Sequence, residues 1–184
     1  ILKYEFPKQN INTDEIFLEP SFISPIYGLQ GRLDIYFKGQ EGRQAIVELK
    51  SGKPFKANKY GLSASHYYQT LLYDLLVKST NKEKVNPSCF ILYSKLGEHG
   101  MRYAPPVKSM QYESLMIRNQ IYQMERNLCE TGFLPYIIEK LKVADTELNG
   151  FVRDNWMLFK NVILNAEAVC QDYFYECVSF IARE

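Results

Sequence analysis

Three charged side chains in the first third of this chain have the types and the spacing that phosphodiester chemistry requires. Asp34 precedes Glu48 by fourteen residues, and Lys50 follows Glu48 by two. Two carboxylates that converge suit a hard, oxygen-seeking cation such as Mg²⁺. A metal ion beside a lysine can polarise a phosphate and activate water, so this set of residues points to phosphodiester hydrolysis.

Two predicted strands would bring the carboxylates together. Apolar and polar side chains alternate along both segments, which predicts strands at about 30–38 and 44–51. The polar, glycine-bearing residues between them predict a hairpin, and if it is centred on Glu41 then Asp34 lies directly opposite Glu48. Like charges at opposed positions repel, so this pairing favours a bound cation. The other face of the first strand is predicted to carry Gly31, Leu33, Ile35 and Phe37.

The remaining pattern predicts a mixed α/β fold in which helices flank the sheet. Thr13 as an N-cap and Pro20 as a terminator predict a short helix over 13–19. Further predicted helices span 63–79, capped by Ser63, about 109–129, and 133–184 with breaks near Gly150 and Asp154. Further predicted strands span 89–93 and 101–104.

The ordered motifs resemble those of the PD-(D/E)XK nucleases, and more closely those of the RecB-like branch. That branch carries G-x-x-D, then (D/E)-x-K, then a helix with Q-x-x-x-Y, which correspond here to residues 31–34, 48–50 and 69–73. The amino-acid sequence of these motifs is most similar to that of the nuclease domain of replication helicase-nucleases, which trim Okazaki flaps and resect broken ends. The segments that carry this similarity are 24–34, 48–53, His66 and 118–119.

The resemblance implies a restriction-endonuclease-like fold and a role for each motif residue. Asp34 and Glu48 would hold one or two Mg²⁺ or Mn²⁺ ions, with the carbonyl of Leu49 as a further ligand. Lys50 would position the attacking water or stabilise charge on the phosphate. The family has an acidic residue ahead of the segment that begins at residue 24, so Glu19 is either a third acidic ligand or an ordinary helix-end carboxylate.

The predicted helix after the second strand carries further candidates. Gln69 and Tyr73 are four residues apart and share a helix face, and the resemblance implies that they support the active site or contact the substrate strand. His66, one turn earlier, is either a structural histidine or a phosphate contact. Arg118 on the long predicted helix is a further candidate for DNA binding.

The loop predicted at 51–61 is basic and contains aromatic residues. It is either a solvated connection or a surface that contacts phosphates and stacks bases. Its candidate DNA-binding residues are Lys53, Lys56, Lys59 and Tyr60.

The cysteines depart from the family pattern. Many members hold an iron–sulfur cluster with four cysteines, whereas the four here are scattered and form no C-x-x-C pair. We therefore expect no iron–sulfur cluster. The four are Cys89, Cys129, Cys170 and Cys177.

Composition and charge exclude several classes of function. The net charge of +1 excludes a strongly basic nucleic-acid binder, so any DNA affinity must come from a local patch. No apolar run approaches the ~18 residues of a membrane span, so we expect no membrane partner. Four cysteines without a signal sequence indicate an intracellular protein, cytoplasmic and nucleoid-associated if bacterial.

We expect one nuclease domain over 1–184, with a core at about 15–127 and a helical extension at about 128–184. The chain begins at Ile1 and ends at Glu184 without an evident terminus, so we expect a piece of a larger protein with a helicase domain in the same polypeptide.

The function predicted from all these features is a metal-dependent DNA nuclease, with single-stranded or flap DNA favoured by resemblance. Two alternatives stay open: a non-catalytic DNA-binding module of a helicase, and a restriction-type endonuclease that cuts duplex DNA.

Overall fold

The computed structural model describes residues 2–81, 84–140 and 150–184 and divides the chain into two compact units. The first unit is Ile1–Met116 and the second is Ile117–Glu184. The chain has the predicted mixed α/β fold, with a mixed sheet, flanking helices and a helical C-terminal part.

The first unit contains the sheet and the helices next to it. Its strands are β1 (Ile16–Leu18), β2 (Ser21–Ser24), β3 (Leu29–Arg32), β4 (Ile35–Lys38), β5 (Gln44–Lys50), β6 (Ser88–Tyr93) and β7 (Met101–Tyr103). Its helices are α1 (Leu2–Lys8), α2 (Ala64–Thr80) and the first part of α3 (Lys108–Leu128).

Within the described residues, five strands form one sheet in the order β1-β4-β5-β6-β7, and β2 pairs separately with β3. β5 is antiparallel to β4 and parallel to β6. The parallel step from β5 to β6 passes through α2, as a parallel connection requires. The carboxyl end of β5 and the start of α2 therefore lie at the same edge of the sheet, which is where α/β proteins place their sites.

The sheet separates two hydrophobic clusters, because side chains alternate between its faces. The α1 cluster consists of Phe6, Ile11, Ile35, Phe37, Ala45, Val47, Phe90 and Leu92. The α2 cluster includes Leu33, Tyr36, Ile46, Leu62, Tyr67, Leu71, Val77, Ile91 and Tyr93. Along β5, Glu48 continues the face of Ile46, so its carboxylate lies on the side that packs against α2.

The first predicted strand, over 30–38, is interrupted at residues 33–34. The interruption lets β3 pair with β2 while β4 pairs with β1 and β5. Two backbone hydrogen bonds, each 3.0 Å long, stabilise the chain where it passes from β3 to β4. The N–H of Leu33 donates to the carbonyl of Pro20, and the N–H of Glu19 donates to the carbonyl of Asp34. Leu33 consequently packs in the α2 cluster, so its predicted place on the face of Ile35 is wrong.

The helix predicted over 13–19 is also wrong. Thr13–Glu15 is a single 3₁₀ turn whose N-cap is Asn12, and Ile16–Leu18 is strand β1. So short a helix has little stability of its own, and pairing with β4 satisfies the same backbone groups while adding to the sheet.

The second unit is helical in its described residues. It contains the rest of α3 together with α4 (Phe133–Lys140), α5 (Gly150–Leu164) and α6 (Ala168–Arg183). The predicted break near Asp154 is wrong: this exposed residue lies inside α5, and the chain turns at 165–167 instead. The predicted break near Gly150 borders residues 141–149, which lie outside the described part of the chain.

Candidate active site

The hairpin has the predicted register. A 3₁₀ turn at Gln40–Gly42 connects β4 to β5, and Ile35 pairs with Val47. One step further along this register, Asp34 meets the end of β5, where its Oδ2 accepts a 2.7 Å hydrogen bond from the backbone N–H of Leu49. The structure therefore brings Asp34 beside the segment that carries Glu48 and Lys50.

Glu48 is the most buried charged group of the motif. Its exposed fraction is 3%, and its Oε1 accepts a 2.7 Å hydrogen bond from the Lys50 ammonium. Its Oε2 is buried and has no hydrogen-bond partner among the described residues. Burial raises the pKa of Glu48, Lys50 opposes this shift, and the nearby charge of Asp34 adds to it. The unpartnered Oε2 of this carboxyl could act as a ligand to a cation.

A chain of hydrogen bonds connects Lys50 to α2 and β3. Lys50 Nζ donates to Gln69 Oε1 over 3.0 Å, and Gln69 Nε2 donates to the Tyr73 hydroxyl over 2.9 Å. The Tyr73 hydroxyl in turn donates to the carbonyl of Arg32 over 2.9 Å. Burial raises the pKa of Tyr73, which keeps the phenol protonated and able to donate. Gln69 and Tyr73 thus fix the position of the lysine.

Gly31 makes room for the Tyr73 ring. A Cβ at this position would lie 2.9 Å from Cε1 of Tyr73 and 3.0 Å from Cδ1 of Leu76. These distances are shorter than ordinary van der Waals contacts, so the close approach of α2 to β3 requires the glycine of G-x-x-D.

The site is compatible with Mg²⁺ or Mn²⁺ because its free donors are oxygens. The unpartnered Oε2 of Glu48 and the remaining oxygen of Asp34 are the available carboxylate donors. The N–H of Leu49 donates to Asp34, and a strand residue directs its carbonyl to the same side as its N–H, so the Leu49 carbonyl lies on the edge of β5 that faces Asp34; its role as a metal ligand stays a prediction. Mg²⁺ commonly uses only one or two carboxylates and fills its other positions with water and phosphate.

Glu19 does not join these carboxylates. Its side chain pairs with Arg32 at 3.3 Å, and both side chains are exposed. Within the three described ranges, the structure contains no group of three or more His, Cys, Asp and Glu side chains placed to hold one metal ion. The role of Glu19 as a third acidic ligand stays a prediction.

The basic loop after β5 is ordered by its own hydrogen bonds. Asn58 Oδ1 accepts from the N–H groups of Tyr60 and Leu62, at 2.9 and 3.1 Å. Ser63 Oγ accepts from the N–H of Phe55 over 2.7 Å, so the N-cap of α2 holds the loop instead of capping the helix. Lys53, Lys56 and Lys59 are exposed.

The aromatic residues of this loop differ in their exposure. The Tyr60 ring packs edge-on against Tyr67, with centroids 5.7 Å apart, and the Lys59 ammonium lies over the Tyr60 ring, 5.1 Å from its centroid. Phe55 is 76% exposed, with the Lys56 ammonium 5.6 Å from its ring centre. A base could therefore stack more readily on Phe55 than on Tyr60.

The other two DNA-binding candidates lie in different parts of the molecule. His66 lies in the first turn of α2, half-buried, with its Nδ1 3.1 Å from the hydroxyl of Tyr93. Arg118 lies half-buried on α3, in the second unit.

Sequence reasoning missed Tyr93. It was predicted only as part of a buried strand, yet its hydroxyl contacts both His66 and the backbone N–H of Ser63, the N-cap of α2. The number of residues between Lys50 and Tyr93 does not predict that they are neighbours. Their positions depend on how β5 and β6 pair in parallel, which is decided by the path of the whole connection through α2.

The cysteines are free thiols that differ in exposure: Cys89 is buried, Cys129 and Cys177 are half-buried, and Cys170 is exposed. Burial raises the pKa of Cys89 far above its usual range, so this thiol stays protonated. None of the described helices is long and apolar enough to cross a membrane.

Neither a scan against models of known protein families nor a comparison with curated proteins returned a match for this chain. The interpretation of the site therefore depends on its residues and their geometry.

Proposed function

We propose that this chain is a metal-dependent deoxyribonuclease of the RecB-like type that hydrolyses phosphodiester bonds. The observation that carries the proposal is the Oε2 of Glu48, a buried carboxylate oxygen without a hydrogen-bond partner among the described residues. Removing such an oxygen from water costs free energy unless another group compensates. A cation bound by Glu48 and Asp34 would provide that compensation, and the Lys50 ammonium lies beside Glu48, to which it donates a hydrogen bond.

Each residue of the site has a distinct task in this proposal. Asp34 and Glu48 hold the cation, which when bound polarises the phosphate and activates water. Lys50 presents an ammonium where negative charge develops on the phosphate. Gln69 orients Lys50 through its Oε1, and Tyr73 orients Gln69.

The substrate is proposed to be DNA, with single-stranded or flap DNA favoured. The support is the resemblance of the motif set to RecB-like nucleases, together with a mixed α/β fold that carries the motifs at the end of β5 and along α2. The exposed lysines of the loop at 51–61 supply the local positive charge that a near-neutral chain needs for phosphate binding.

Isosteric substitutions test the proposal most directly. Asp34→Asn keeps an oxygen that can accept from Leu49, and Glu48→Gln keeps the shape of the side chain, but each removes one negative charge. Both should abolish Mg²⁺- or Mn²⁺-dependent cleavage of a fluorescent single-stranded oligonucleotide. Lys50→Ala should lower single-turnover cleavage by roughly 10²–10³-fold. Asp14→Asn, at an exposed carboxylate outside the site, is the matched control and should cleave like the wild type.

Metal binding gives a second readout that does not depend on cleavage. A cation at a hundred times its Kd stabilises the folded state by about 2.7 kcal/mol, so the wild-type Tm should rise on adding Mn²⁺ to metal-free protein. The rise should be much smaller in Asp34→Asn and Glu48→Gln. Full cleavage by both variants contradicts the site assignment, whereas DNA binding by a wild type that never cleaves favours the non-catalytic module.

A further inference from the structure

Tyr93 and His66 form a hydrogen-bonded pair next to the proposed active site. Tyr93 of β6 is the register partner of Lys50 on β5, and register partners project to the same face of a sheet. Both side chains therefore face α2. His66 lies on α2 one turn before Gln69, the residue that accepts a hydrogen bond from Lys50.

The Tyr93 hydroxyl is buried and has two neighbours that can hydrogen-bond. The residue is 0% exposed. The backbone N–H of Ser63 donates to the hydroxyl oxygen over 3.1 Å, and Nδ1 of His66 lies 3.1 Å from the same oxygen. The two rings are 5.7 Å apart between centroids, so the imidazole rests against the phenol.

These contacts favour one of the two ring nitrogens of His66 as the site of the proton. A backbone N–H can only donate, so the hydroxyl accepts from Ser63 and must find an acceptor for its own proton. A buried hydroxyl proton without an acceptor is costly, and Nδ1 of His66 is the acceptor in reach. An imidazole that accepts at Nδ1 is neutral and carries its proton on Nε2. Burial, and then the charge of Lys50, lower the pKa of His66, which agrees with a neutral ring.

We propose that Tyr93 is a positioning residue that holds His66 as the Nε2–H tautomer, and that this N–H donates to a backbone phosphate of the DNA strand beside Lys50. The inference rests on the proposed function and adds a substrate contact to it. The contact is neutral, so it orients the strand without adding charge to the site. It lies one helical turn from Gln69, on the side of β6, so the phosphate it binds is a neighbour of the one that is cleaved.

Two substitutions of His66 separate a phosphate contact from a structural role. Glutamine places an amide N–H close to the position of Nε2, whereas asparagine reaches only to the position of Nδ1. His66→Asn should weaken binding of a fluorescent single-stranded oligonucleotide about tenfold or more, as expected for a hydrogen bond to a charged group. His66→Gln should retain most of the affinity, and His99→Asn, at the only other histidine, should retain all of it.

The kinetic effect should appear in KM and not in the chemical step. At saturating DNA, single-turnover cleavage by His66→Asn should remain close to that of the wild type, because Asp34, Glu48 and Lys50 are untouched. If His66→Asn binds DNA as tightly as the wild type while the wild type cleaves normally, this inference alone is overturned. A wild type that neither binds nor cleaves DNA overturns the proposed function and the inference with it.

The tautomer is observable without any substrate. Long-range proton–nitrogen NMR correlations of the imidazole should show Nε2 protonated in the wild type, with the His66 signals assigned by comparison with His66→Gln. Tyr93→Phe removes the donor to Nδ1 and should shift the ring towards a mixture of tautomers. A wild-type ring protonated on Nδ1 would overturn the role of Tyr93, whatever the DNA-binding results.

Discussion

Gly31→Ala tests whether the Tyr73 ring is held firmly against β3. The added Cβ would lie 2.9 Å from Cε1 of Tyr73, whereas ordinary contacts begin at 3.4 Å, so the ring must move by about half an ångström. The ring is restrained at its far end, because its hydroxyl donates to the carbonyl of Arg32 and accepts from Gln69. Relief of the clash therefore weakens at least one of these hydrogen bonds.

The expected loss of stability follows from these contacts. Inserting a methyl group into a packed contact costs about 1–3 kcal/mol, and a weakened hydrogen bond adds up to about 1 kcal/mol. We expect the free energy of unfolding to fall by about 2 kcal/mol, which lowers Tm by about 4–8 °C for a chain of this length. Urea denaturation in the presence of a chelator measures the change. Single-turnover cleavage should also fall, because Gln69 loses the partner that orients it towards Lys50.

Gly52→Ala is the matched control for this experiment. Its added Cβ would meet no atom within 4 Å, so its stability should remain within about 0.5 kcal/mol of the wild type. If Gly31→Ala acts by displacing Tyr73, then Tyr73→Phe should cost less in the Gly31→Ala background than in the wild type. If Gly31→Ala is as stable and as active as Gly52→Ala, the ring moves freely and does not fix the site.

Two further predictions concern charge. Changing Lys53, Lys56 and Lys59 to alanine should weaken DNA binding. It should also reduce the slope of the logarithm of the binding constant against the logarithm of the salt concentration, by roughly 0.7 per lost phosphate contact on a single strand. If the triple variant has the same affinity and slope as the control Lys38→Ala, the loop is an ordinary solvated connection. Burial raises the pKa of Glu48 in the folded state. The contribution of this carboxyl to the free energy of unfolding is therefore fully present below the pKa it has in the unfolded chain, and it is lost as pH rises through the pKa it has in the folded protein. In chelator, the wild type should therefore lose stability relative to Glu48→Gln as pH increases across that window, and parallel pH profiles for the two proteins would contradict a desolvated carboxyl.

The sequence alone determined the hairpin and the helix that follow each other in the motif. Alternation along 44–50 and the polar turn around Glu41 specify a register, and the structure pairs Ile35 with Val47 as that register requires. Local residues also predicted the start of α2, which begins directly after Ser63. These features depend on contacts between residues close in sequence, so local pattern is sufficient to predict them.

Other features required the tertiary structure. Ile16–Leu18 became a strand because β4 offered an edge to pair with, and Leu33 changed face because β3 and β4 belong to different sheets. The local order of apolar and polar residues predicts neither the partner of a strand nor the boundary of a sheet, since both depend on chain segments that meet only after folding.

The same division applies to the candidate site. Residue types and spacing selected Asp34, Glu48 and Lys50, because their chemistry is recognisable one residue at a time, and the resemblance of the motif pattern to that of a nuclease family added Gln69 and Tyr73. Folding decided that Glu48 keeps one buried oxygen without a partner among the described residues, that Glu19 pairs with Arg32, and that Tyr93 meets His66. Burial and hydrogen-bond partners are properties of the packed chain. They decide the protonation state and the geometry of the polar residues in the candidate site.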